Sequence, residues 1–438
     1  MVRFSAHNRL TACRTKLRIL LLNQCFYPDV VSTAQHLTDL ARGLADRGHE
    51  VTVITSDSGY DDPTRTFPRR ESWNNIEVLR IPSLSLGKKT KLKRALNFAS
   101  FLAVCSLRLL TLRRFDVVVA LTSPPLISFL AALFVLLKGG RFCSWVMDLN
   151  PDEAVAAGWL REHSLPARML QRLLIYSLKR ADRVIVLDRF MKDRVLAKGI
   201  EPARVKILPP WSHDESIGYS TPGRDEFRSK YGLTNKFVVM YSGNHSPCHP
   251  LDTLLDAALV LSTNENLAFC FVGGGTEQDK VREFSRRHNL QNVLCLPYQP
   301  LDSLSSSLSA ADLHVVVMGE KFTGIVHPCK IYNILRIGGP VLYIGPVESH
   351  ITDIALRVKT DHISVARHGD SGSVVEQITA LGKRKSTATG FPISDFSKRQ
   401  LLPQMVSLVE LATSSNEENI PGTYSPDPDA KAQEVVSL

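Results

Sequence analysis

An apolar segment followed by an amphipathic segment recurs along most of the chain, and this alternation is the feature that most constrains the fold. Leu17–Leu22 is apolar except for Arg18, as expected of a strand buried in a parallel sheet. Apolar residues then recur at helical spacing up to Gly48, and Val51–Ser56 is again strand-like. This strand–helix–strand unit is long enough to connect two parallel strands.

The alternation continues through two halves of the chain, which a polar, charge-rich stretch at Ser212–Arg228 separates. In the first half, further strands are predicted at Val117–Leu121, Phe142–Met147, Val184–Leu187 and Val205–Leu208. In the second half they are predicted at Phe237–Tyr241, Leu267–Val272, Val293–Leu296, Leu313–Val317 and Val341–Ile344. We therefore predict an α/β protein of two doubly wound, Rossmann-like domains that face each other across a cleft.

The changes in composition also predict the domain boundaries. The predicted parts are an N-terminal extension at 1–16, a first domain at 17–211, a linker at 212–235, a second domain at 236–395, a C-terminal helix at 396–413 and a tail at 414–438. The tail is polar and Pro-rich, so we expect it to be disordered.

The cysteine pattern and the apolar segments indicate a cytoplasmic protein. The eight cysteines among 438 residues form no C-x-x-C pair, and most lie in apolar stretches, which is typical of reduced core thiols. The N-terminus is polar and basic, without the apolar region of a secretory signal. The longest apolar run, Leu126–Leu137, is shorter than the roughly 20 residues of a membrane span. We therefore expect no membrane crossing.

Charge and apolar patches suggest contact with a membrane surface. The sequence has 53 Lys and Arg against 43 Asp and Glu, a formal net charge of +10. The basic cluster consists of Lys88, Lys89, Lys91, Lys93 and Arg94, and the apolar segment Ala95–Leu110 follows it. This pattern favours a peripheral face on anionic lipid, although a core-packed helix with a solvated basic start is the alternative. No aromatic interleaving or binding motif accompanies the basic residues, so a nucleic-acid partner is not expected.

Glycine-rich turns and one lysine predict a phosphate site in the second half. The first turn, at 23–32, lacks the glycines of a dinucleotide fold. Gly243 follows one predicted strand, and 273–275 are three glycines that follow the next, which suits phosphate binding, although an ordinary tight turn explains the three glycines equally well. Lys330 lies in the first turn of a helix that Pro328 can begin, so it could reach a pyrophosphate. An ordinary surface lysine is the alternative.

Seven segments, in this order and spacing, resemble a known family. They are NQCFYPDVVSTAQHLTDLARGLADRGHEVTVIT from Asn23, VMDLNPDEAVAAGW from Val146, ADRVIVLD from Ala181, YSGNHSPCHPLDTLLDAA from Tyr241, FVGGGTEQDKV from Phe271, LPYQPLDSLSSSLSAADLHVV from Leu296 and GIVHPCKIYN from Gly324. The chain resembles the GT-B nucleotide-sugar glycosyltransferases of family 4. The likeness is to the bacterial polysaccharide branch with colanic-acid glycosyltransferases and N-acetyl-L-fucosamine transferase, and it covers roughly Leu17 to Leu411.

The resemblance implies an activity and a division of labour between the domains. It implies a hexosyl- or N-acetylhexosaminyl-type transferase that retains the anomeric configuration, with the acceptor in the first domain and the nucleotide-sugar in the second. The acceptor would be a glycan linked to polyprenyl diphosphate. The implied donor-binding positions are Gly243, Asn244, His249, Gly273, Gly274, Gly275, Tyr298, Glu320, Gly324, Ile325, Lys330 and Asn333.

The implied catalytic positions are His36, Asp148 and Lys330. His36 lies near the start of the first predicted helix, and Asp148 ends a strand at the same edge, where each could contact the acceptor hydroxyl. A hydrogen-bonded structural histidine and a helix-capping aspartate are the alternatives. Lys330 would neutralise the departing diphosphate. No D-x-D motif flanked by apolar residues is present, so neither a metal nor a cofactor is expected.

The sequence departs from the family at its pair of glutamates. The two glutamate positions fall on Ile325 and Asn333, and the nearest acidic residue is Glu320. Asparagine can accept a hydrogen bond from a ribose hydroxyl but supplies no charge. Two alternatives therefore stand beside a transferase: a nucleotide-sugar 2-epimerase of the same fold and a non-catalytic nucleotide-binding scaffold of a polysaccharide assembly complex.

Overall fold

A computed structural model describes residues 16–60, 62, 64–86, 91–212, 217–358, 362–383 and 394–413. Most of the predicted extension and all of the predicted tail lie outside these residues. So do Lys88 and Lys89 of the basic cluster.

The first domain is built on an eight-stranded sheet. Its strands are β1 (Arg18–Leu22), β2 (Glu50–Ser56), β3 (Arg70–Trp73), β4 (Ile76–Ile81), β5 (Val117–Ala120), β6 (Arg141–Trp145), β7 (Arg183–Val186) and β8 (Val205–Ile207). They follow the order β3-β4-β2-β1-β5-β6-β7-β8, and all neighbours are parallel except β3 and β4. The accompanying helices are α1 (Ser32–Asp46), α2 (Lys91–Thr111), α3 (Ile127–Lys138), α4 (Asp152–Ala156), α5 (Leu165–Arg180) and α6 (Arg189–Leu196).

The second domain is built on a six-stranded parallel sheet. In chain order its elements are α7 (Thr221–Lys230), β9 (Phe237–Asn244), α8 (Asp252–Val260), β10 (Leu267–Gly274), α9 (Thr276–Arg287), β11 (Val293–Leu296), α10 (Leu304–Ser309), β12 (Leu313–Val317), α11 (Lys330–Ile337), β13 (Val341–Ile344), α12 (His350–Val358), β14 (Ile363–Ala366) and α13 (Ser371–Gly382). The strand order is β11-β10-β9-β12-β13-β14. The prediction of two doubly wound α/β domains is confirmed.

Two segments near the predicted boundaries pack in ways that the sequence does not show. The segment predicted as a linker contains α7, and Arg224 and Arg228 of this helix form ion pairs with Asp312 next to β12. The last helix, α14 (Lys398–Glu410), returns to the first domain, where Glu410 contacts Arg47 at 2.7 Å and His49 at 2.9 Å. The apolar side of α14 joins the core of the first sheet.

Three strands, β3, β4 and β14, were not predicted. β3 and β14 are only four residues long, and charged side chains in β3 and β4 obscure the apolar pattern. The predicted apolar segment Ala95–Leu110 lies within the longer helix α2. By length and composition alone, Leu92–Thr111 could cross a membrane, which differs from the expectation based on Leu126–Leu137. Phe101, Cys105 and Leu109 of α2 are nevertheless buried in the core of the first domain.

Direct contacts hold the two domains together beside the cleft. Arg189, at the start of α6, forms a two-pronged ion pair with Asp353 of α12, with distances of 2.6 and 3.0 Å. The Leu149 N–H donates to the carbonyl of Ile325 at 2.8 Å. The Arg194 guanidinium donates to the carbonyl of Thr323 at 2.6 Å.

Candidate active site

Lys330 carries the clearest signal for an anion site. Its Nζ is buried without a hydrogen-bond partner among the described residues and lies 3.6 Å from the centroid of the Tyr241 ring. A Cβ at Gly243, where φ is +133°, would lie only 3.0 Å from this Nζ. Burial lowers the pKa of Lys330 from 10.5 to about 7. An incoming anion would replace the hydration that the ammonium has lost.

His249 does not supply a second positive charge. Its Nδ1 lies 2.7 Å from the carbonyl oxygen of Val317, and burial, then the charge of Lys330, lower its pKa to about 3. The imidazole is therefore neutral, and a proton on Nδ1 leaves Nε2 as an acceptor. His249 is one of the implied donor-binding positions, and it is uncharged here because burial beside Lys330 disfavours a second charge.

The three glycines after β10 make close backbone contacts. A Cβ at Gly273 would lie 2.0 Å from the carbonyl oxygen of Gly243, and one at Gly275 would lie 2.2 Å from that of His245. These two glycines therefore serve the tight packing of neighbouring turns, which was the alternative explanation for them. Gly274 instead lies against the ring of the half-exposed Tyr298, and the implied role of this tyrosine in donor binding stays a prediction.

Gly324 and Ile325 lie at the contact between the domains rather than in an open donor site. A Cβ at Gly324, where φ is +69°, would lie 2.5 Å from the carbonyl oxygen of Phe190 in the first domain. Ile325 is buried, and its carbonyl accepts from Leu149. Their expected placement beside the donor stays a prediction, and the structure adds that the loop before α11 joins the domains.

The remaining predicted donor residues occupy separate positions on the second domain. Glu320 is exposed in a short helical turn, Glu320–Phe322. Asn333 is half-buried on α11, three residues after Lys330, and therefore lies next to it on the helix surface. Asn244 is exposed at the end of β9, and its carbonyl accepts from the hydroxyl of Tyr241 at 2.8 Å.

Asp148 and Glu153 form a pair of carboxyl groups on the first domain. Burial, and then the negative charge of Glu153, raise the pKa of Asp148 to about 8. Glu153 accepts from Asn150 at 2.9 Å and from the thiol of Cys248 in the second domain at 3.7 Å. Asp148 caps no helix, since Pro151 stands at the N-cap of α4. The pair is thus at the junction of the domains, with one proton available near pH 8.

His36 is buried within the first domain instead of lining the cleft. It is 2% exposed, with Nδ1 2.8 Å from the carbonyl oxygen of Ser32 and Nε2 3.3 Å from that of Trp211. Burial lowers its pKa. The helix turns this residue toward Trp211, so the geometry favours the structural alternative, and contact with an acceptor hydroxyl stays a prediction.

Sequence reasoning missed a buried cluster between the domains. His327 lies 2.7 Å from both Asp188 and the hydroxyl of Tyr332, and its ring stacks on that of His350 at 3.8 Å. Burial acts to raise the pKa of Asp188, but the hydrogen bond and charge of His327 hold it below its ordinary value. The histidine in GIVHPCKIYN was the available signal, but its partners come from distant parts of the chain.

Among the described residues, this cluster is also the set of side chains that could bind a metal ion. The ligand atoms of Asp188, His327 and His350 lie within 4.8 Å of one another. A metal lies near the plane of each imidazole that binds it, whereas these two rings are stacked with an interplanar angle of 23°. Coordination by both would require one ring to rotate, so the present arrangement does not fit a metal, and the expectation of metal-independent action stays a prediction.

Comparisons with known proteins find relatives over nearly the whole chain. Residues 33–211 match the family described as a glycosyl transferase 4-like domain. The chain is 24% identical over 414 residues to the putative colanic acid biosynthesis glycosyl transferase WcaI of Escherichia coli (strain K12), which covers 89% of this chain and 99% of that protein.

Two solved structures share the fold. The sucrose-phosphate synthase of Thermosynechococcus elongatus superposes with a TM-score of 0.67 at 15% identity, over 90% of this chain and 98% of that chain. Anabaena HepE in complex with UDP and glucose superposes with a TM-score of 0.65 at 16% identity, over 89% and 98%. At these identities the likeness shows the fold.

Proposed function

We propose, from the premise that the chain belongs to glycosyltransferase family 4 and has the GT-B fold, that it extends a glycan in bacterial polysaccharide biosynthesis. The donor is a nucleoside-diphosphate hexose or N-acetylhexosamine, and the acceptor is a glycan linked to polyprenyl diphosphate. The likeness to WcaI, a putative colanic acid biosynthesis glycosyl transferase, supports a glycan acceptor, and the UDP and glucose bound to HepE support a nucleotide-sugar donor.

The observation that carries the proposal is the buried ammonium of Lys330. It has no hydrogen-bond partner among the described residues and lies beside the strand-end Gly243, where a Cβ would come within 3.0 Å of Nζ. A cation in this position suits the diphosphate of the donor, because charge-assisted hydrogen bonds to phosphate are strong in a site from which water is excluded.

The carboxyl pair of the first domain, Asp148 and Glu153, acts on the acceptor. Asp148 would orient the attacking hydroxyl as a hydrogen-bond partner. In the transfer, the bond between the anomeric carbon and the diphosphate oxygen breaks and a bond to the hydroxyl oxygen forms. Retention in a single step requires attack from the face that the diphosphate leaves, so the proton of the hydroxyl passes to the departing phosphate. Lys330 stabilises the charge that develops there.

A face of α2 supports a cytoplasmic location at the inner surface of the membrane. Exposed apolar residues recur every three or four positions along this helix, at Leu92, Leu96, Ala99, Ala103, Leu107 and Leu110. Leu136 and Leu137 of the neighbouring α3 are exposed as well. Lys93, Arg94, Arg108 and Lys138 carry positive charge around this face, which suits anionic lipid.

Sedimentation with vesicles tests the membrane face. We expect the protein to bind vesicles of phosphatidylcholine with phosphatidylglycerol, and Leu107→Asp with Leu110→Asp to remove most of that binding. The matched control is Val260→Asp, which changes an exposed apolar residue of the second domain. Equal binding by both variants would contradict this membrane face.

The transfer itself is tested with nucleotides and an acceptor extract. We expect one nucleoside diphosphate among UDP, GDP, ADP and CDP to raise the melting temperature. The matching nucleotide-sugar should release that diphosphate only when a membrane lipid extract is added. Sugar interconversion without an extract would indicate an epimerase, and binding without turnover would indicate a scaffold. Either result would contradict the proposed transfer.

A further inference from the structure

A polar pocket lies in the first domain, away from Lys330 and from the carboxyl pair. It is an open pocket of about 510 Å³ between the ends of β2 and β4 and the first turns of α2. The residues that face it include Gln24, Ser56, Ser58, Ser83, Arg94 and Asn97. The proposed function above assigns it no role.

The serine hydroxyls of this pocket are held in place by hydrogen bonds to one another. Ser56 Oγ lies 3.0 Å from Ser58 Oγ and 2.9 Å from Ser83 Oγ, so one hydroxyl links two neighbours from different loops. The loop after β4 is fixed to α2, because the N–H of Leu86 donates to Asn97 at 3.0 Å. Gln24 is 9% exposed, and its buried Oε1 has no hydrogen-bond partner among the described residues, so this acceptor is left for a donor of the ligand such as a sugar hydroxyl. The polar wall is therefore built before any ligand arrives.

The chemistry of the wall favours a phosphate. Among the described residues that line the pocket, none is acidic, and Arg94 is the cation. Hydroxyl donors together with a guanidinium match the oxygens and the charge of a phosphate group. The Arg94 guanidinium also lies 4.7 Å from the centroid of the Trp159 ring, which helps to hold it at the rim.

The position of the pocket suits the acceptor. Gln24 and Ser56 stand at the carboxyl ends of β1 and β2, the edge at which doubly wound sheets bind ligands. Asp148 follows β6 at the same edge, three strands away from β2. Neighbouring strands are spaced by about 4.8 Å, so the pocket lies roughly 14 Å from Asp148. This distance leaves room for sugar residues between a phosphate and the reacting hydroxyl.

The exposed apolar face of α2 begins beside this pocket. Arg94, Asn97 and Phe98 share one side of the helix because they are three and four residues apart. Leu92 and Leu96, with exposed fractions of 70% and 43%, lie on the adjacent side. A ligand with a phosphate in the pocket could therefore continue over an apolar surface that points to the membrane.

We propose that this pocket binds the phosphate of the acceptor, with the apolar chain of the acceptor lying along Leu92 and Leu96. The inference rests on the proposed function and adds a place where the acceptor is recognised. Recognition by a phosphate subsite would select acceptors that carry lipid phosphate over neutral glycans.

Vesicle binding by the full chain tests the pocket. The probes are phosphatidylcholine vesicles that contain a polyprenyl phosphate, and vesicles that contain the polyprenol with enough phosphatidylglycerol to match the negative charge. We expect about tenfold tighter binding to the phosphate vesicles, since a charge-assisted hydrogen bond contributes about 1.5 kcal/mol or more. Arg94→Gln and Ser58→Ala should each reduce that preference. The control Arg168→Gln removes the same charge from an exposed position on α5, outside the pocket and outside the apolar face, and should keep it.

Two results would overturn the inference: equal binding of wild type to both vesicles, or equal loss of preference in Arg94→Gln and Arg168→Gln. Competition with inorganic phosphate shows whether the protein recognises the phosphate group alone or the phosphate together with its apolar chain. Displacement indicates that the phosphate alone is bound, and a preference that resists displacement indicates a headgroup that needs its apolar chain. Nucleotide binding is measured in parallel. A protein that binds a nucleotide but lacks the preference refutes the pocket alone, whereas a protein that binds no nucleotide refutes the proposed function.

Discussion

Replacing Lys330 by methionine should stabilise the empty protein while weakening its binding of a nucleoside diphosphate. Methionine is nearly as long as the lysine stem and carries no charge, so it removes the buried ammonium and keeps the packing against Tyr241. The opposite signs of the two effects distinguish a ligand-binding lysine from a structural one. A structural lysine would lower stability when it is removed.

The magnitude of the stability effect follows from the pKa of the buried group. A pKa of about 7 in place of 10.5 means that the folded protein binds the proton of Lys330 less tightly than the unfolded chain does. At 1.36 kcal/mol for each pH unit, this destabilises the wild type by on the order of 4 kcal/mol at pH 7. The penalty falls to about 2 kcal/mol at pH 9 and disappears above pH 10.5. Wild-type stability should therefore rise with pH across this range.

The binding effect depends on pH in the opposite sense. A diphosphate favours the charged lysine, so wild-type affinity should fall by up to about tenfold for each pH unit above 7. At pH 7 the methionine variant loses a charge-assisted hydrogen bond, which we expect to weaken binding by about 1.5–3 kcal/mol. It should also lose this steep decline with pH, because no proton is taken up at position 330.

The assay is a melting curve and a nucleotide titration at pH 6.5, 7.5 and 8.5 for wild type and Lys330→Met. Lys321→Met is the matched control, since Lys321 is exposed nine residues earlier. It should change neither quantity by more than about 0.5 kcal/mol. A methionine variant with lower stability, or with unchanged nucleotide affinity, would refute the assignment of Lys330 to the donor diphosphate.

Three further predictions concern other parts of the molecule. If ionised Asp148 is the active form, initial rates should rise through pH 8, and Glu153→Gln should move that rise to lower pH by removing a like charge; an unmoved midpoint would contradict the pairing. Met405→Ala should destabilise the protein by about 2–5 kcal/mol in denaturant unfolding because the side chain is fully buried, whereas exposed Gln400→Ala should not; equal effects would contradict the packing of α14. Asp188→Asn should cost about 1.5–3 kcal/mol at pH 7 by removing a buried carboxylate that is hydrogen-bonded to His327, and this difference should shrink as acid protonates the wild-type carboxylate below its ordinary pKa of 3.8; a constant difference down to pH 2 would refute an ionised Asp188.

Local patterns were sufficient to predict the two domains. Apolar runs such as Val117–Ala120 and the glycine stop at Gly338 are read from neighbouring residues, because a buried parallel strand favours apolar side chains and a helix end favours a positive φ. The position of Lys330 in the first turn of α11 was also predictable, since it depends on local helix signals.

Tertiary structure alone decided which candidate residues share a site. His36 and Ile325 became buried, and Gly324 packed against the other domain, because helix rotation and domain contact depend on residues far away in the chain. The cluster of His327 with Asp188 joins residues 139 positions apart, and no short pattern contains that pairing. The sequence determined the strands and helices through local burial and propensity. Their packing determined which charges are solvated, paired or left to bind a ligand, because burial is set by the whole fold.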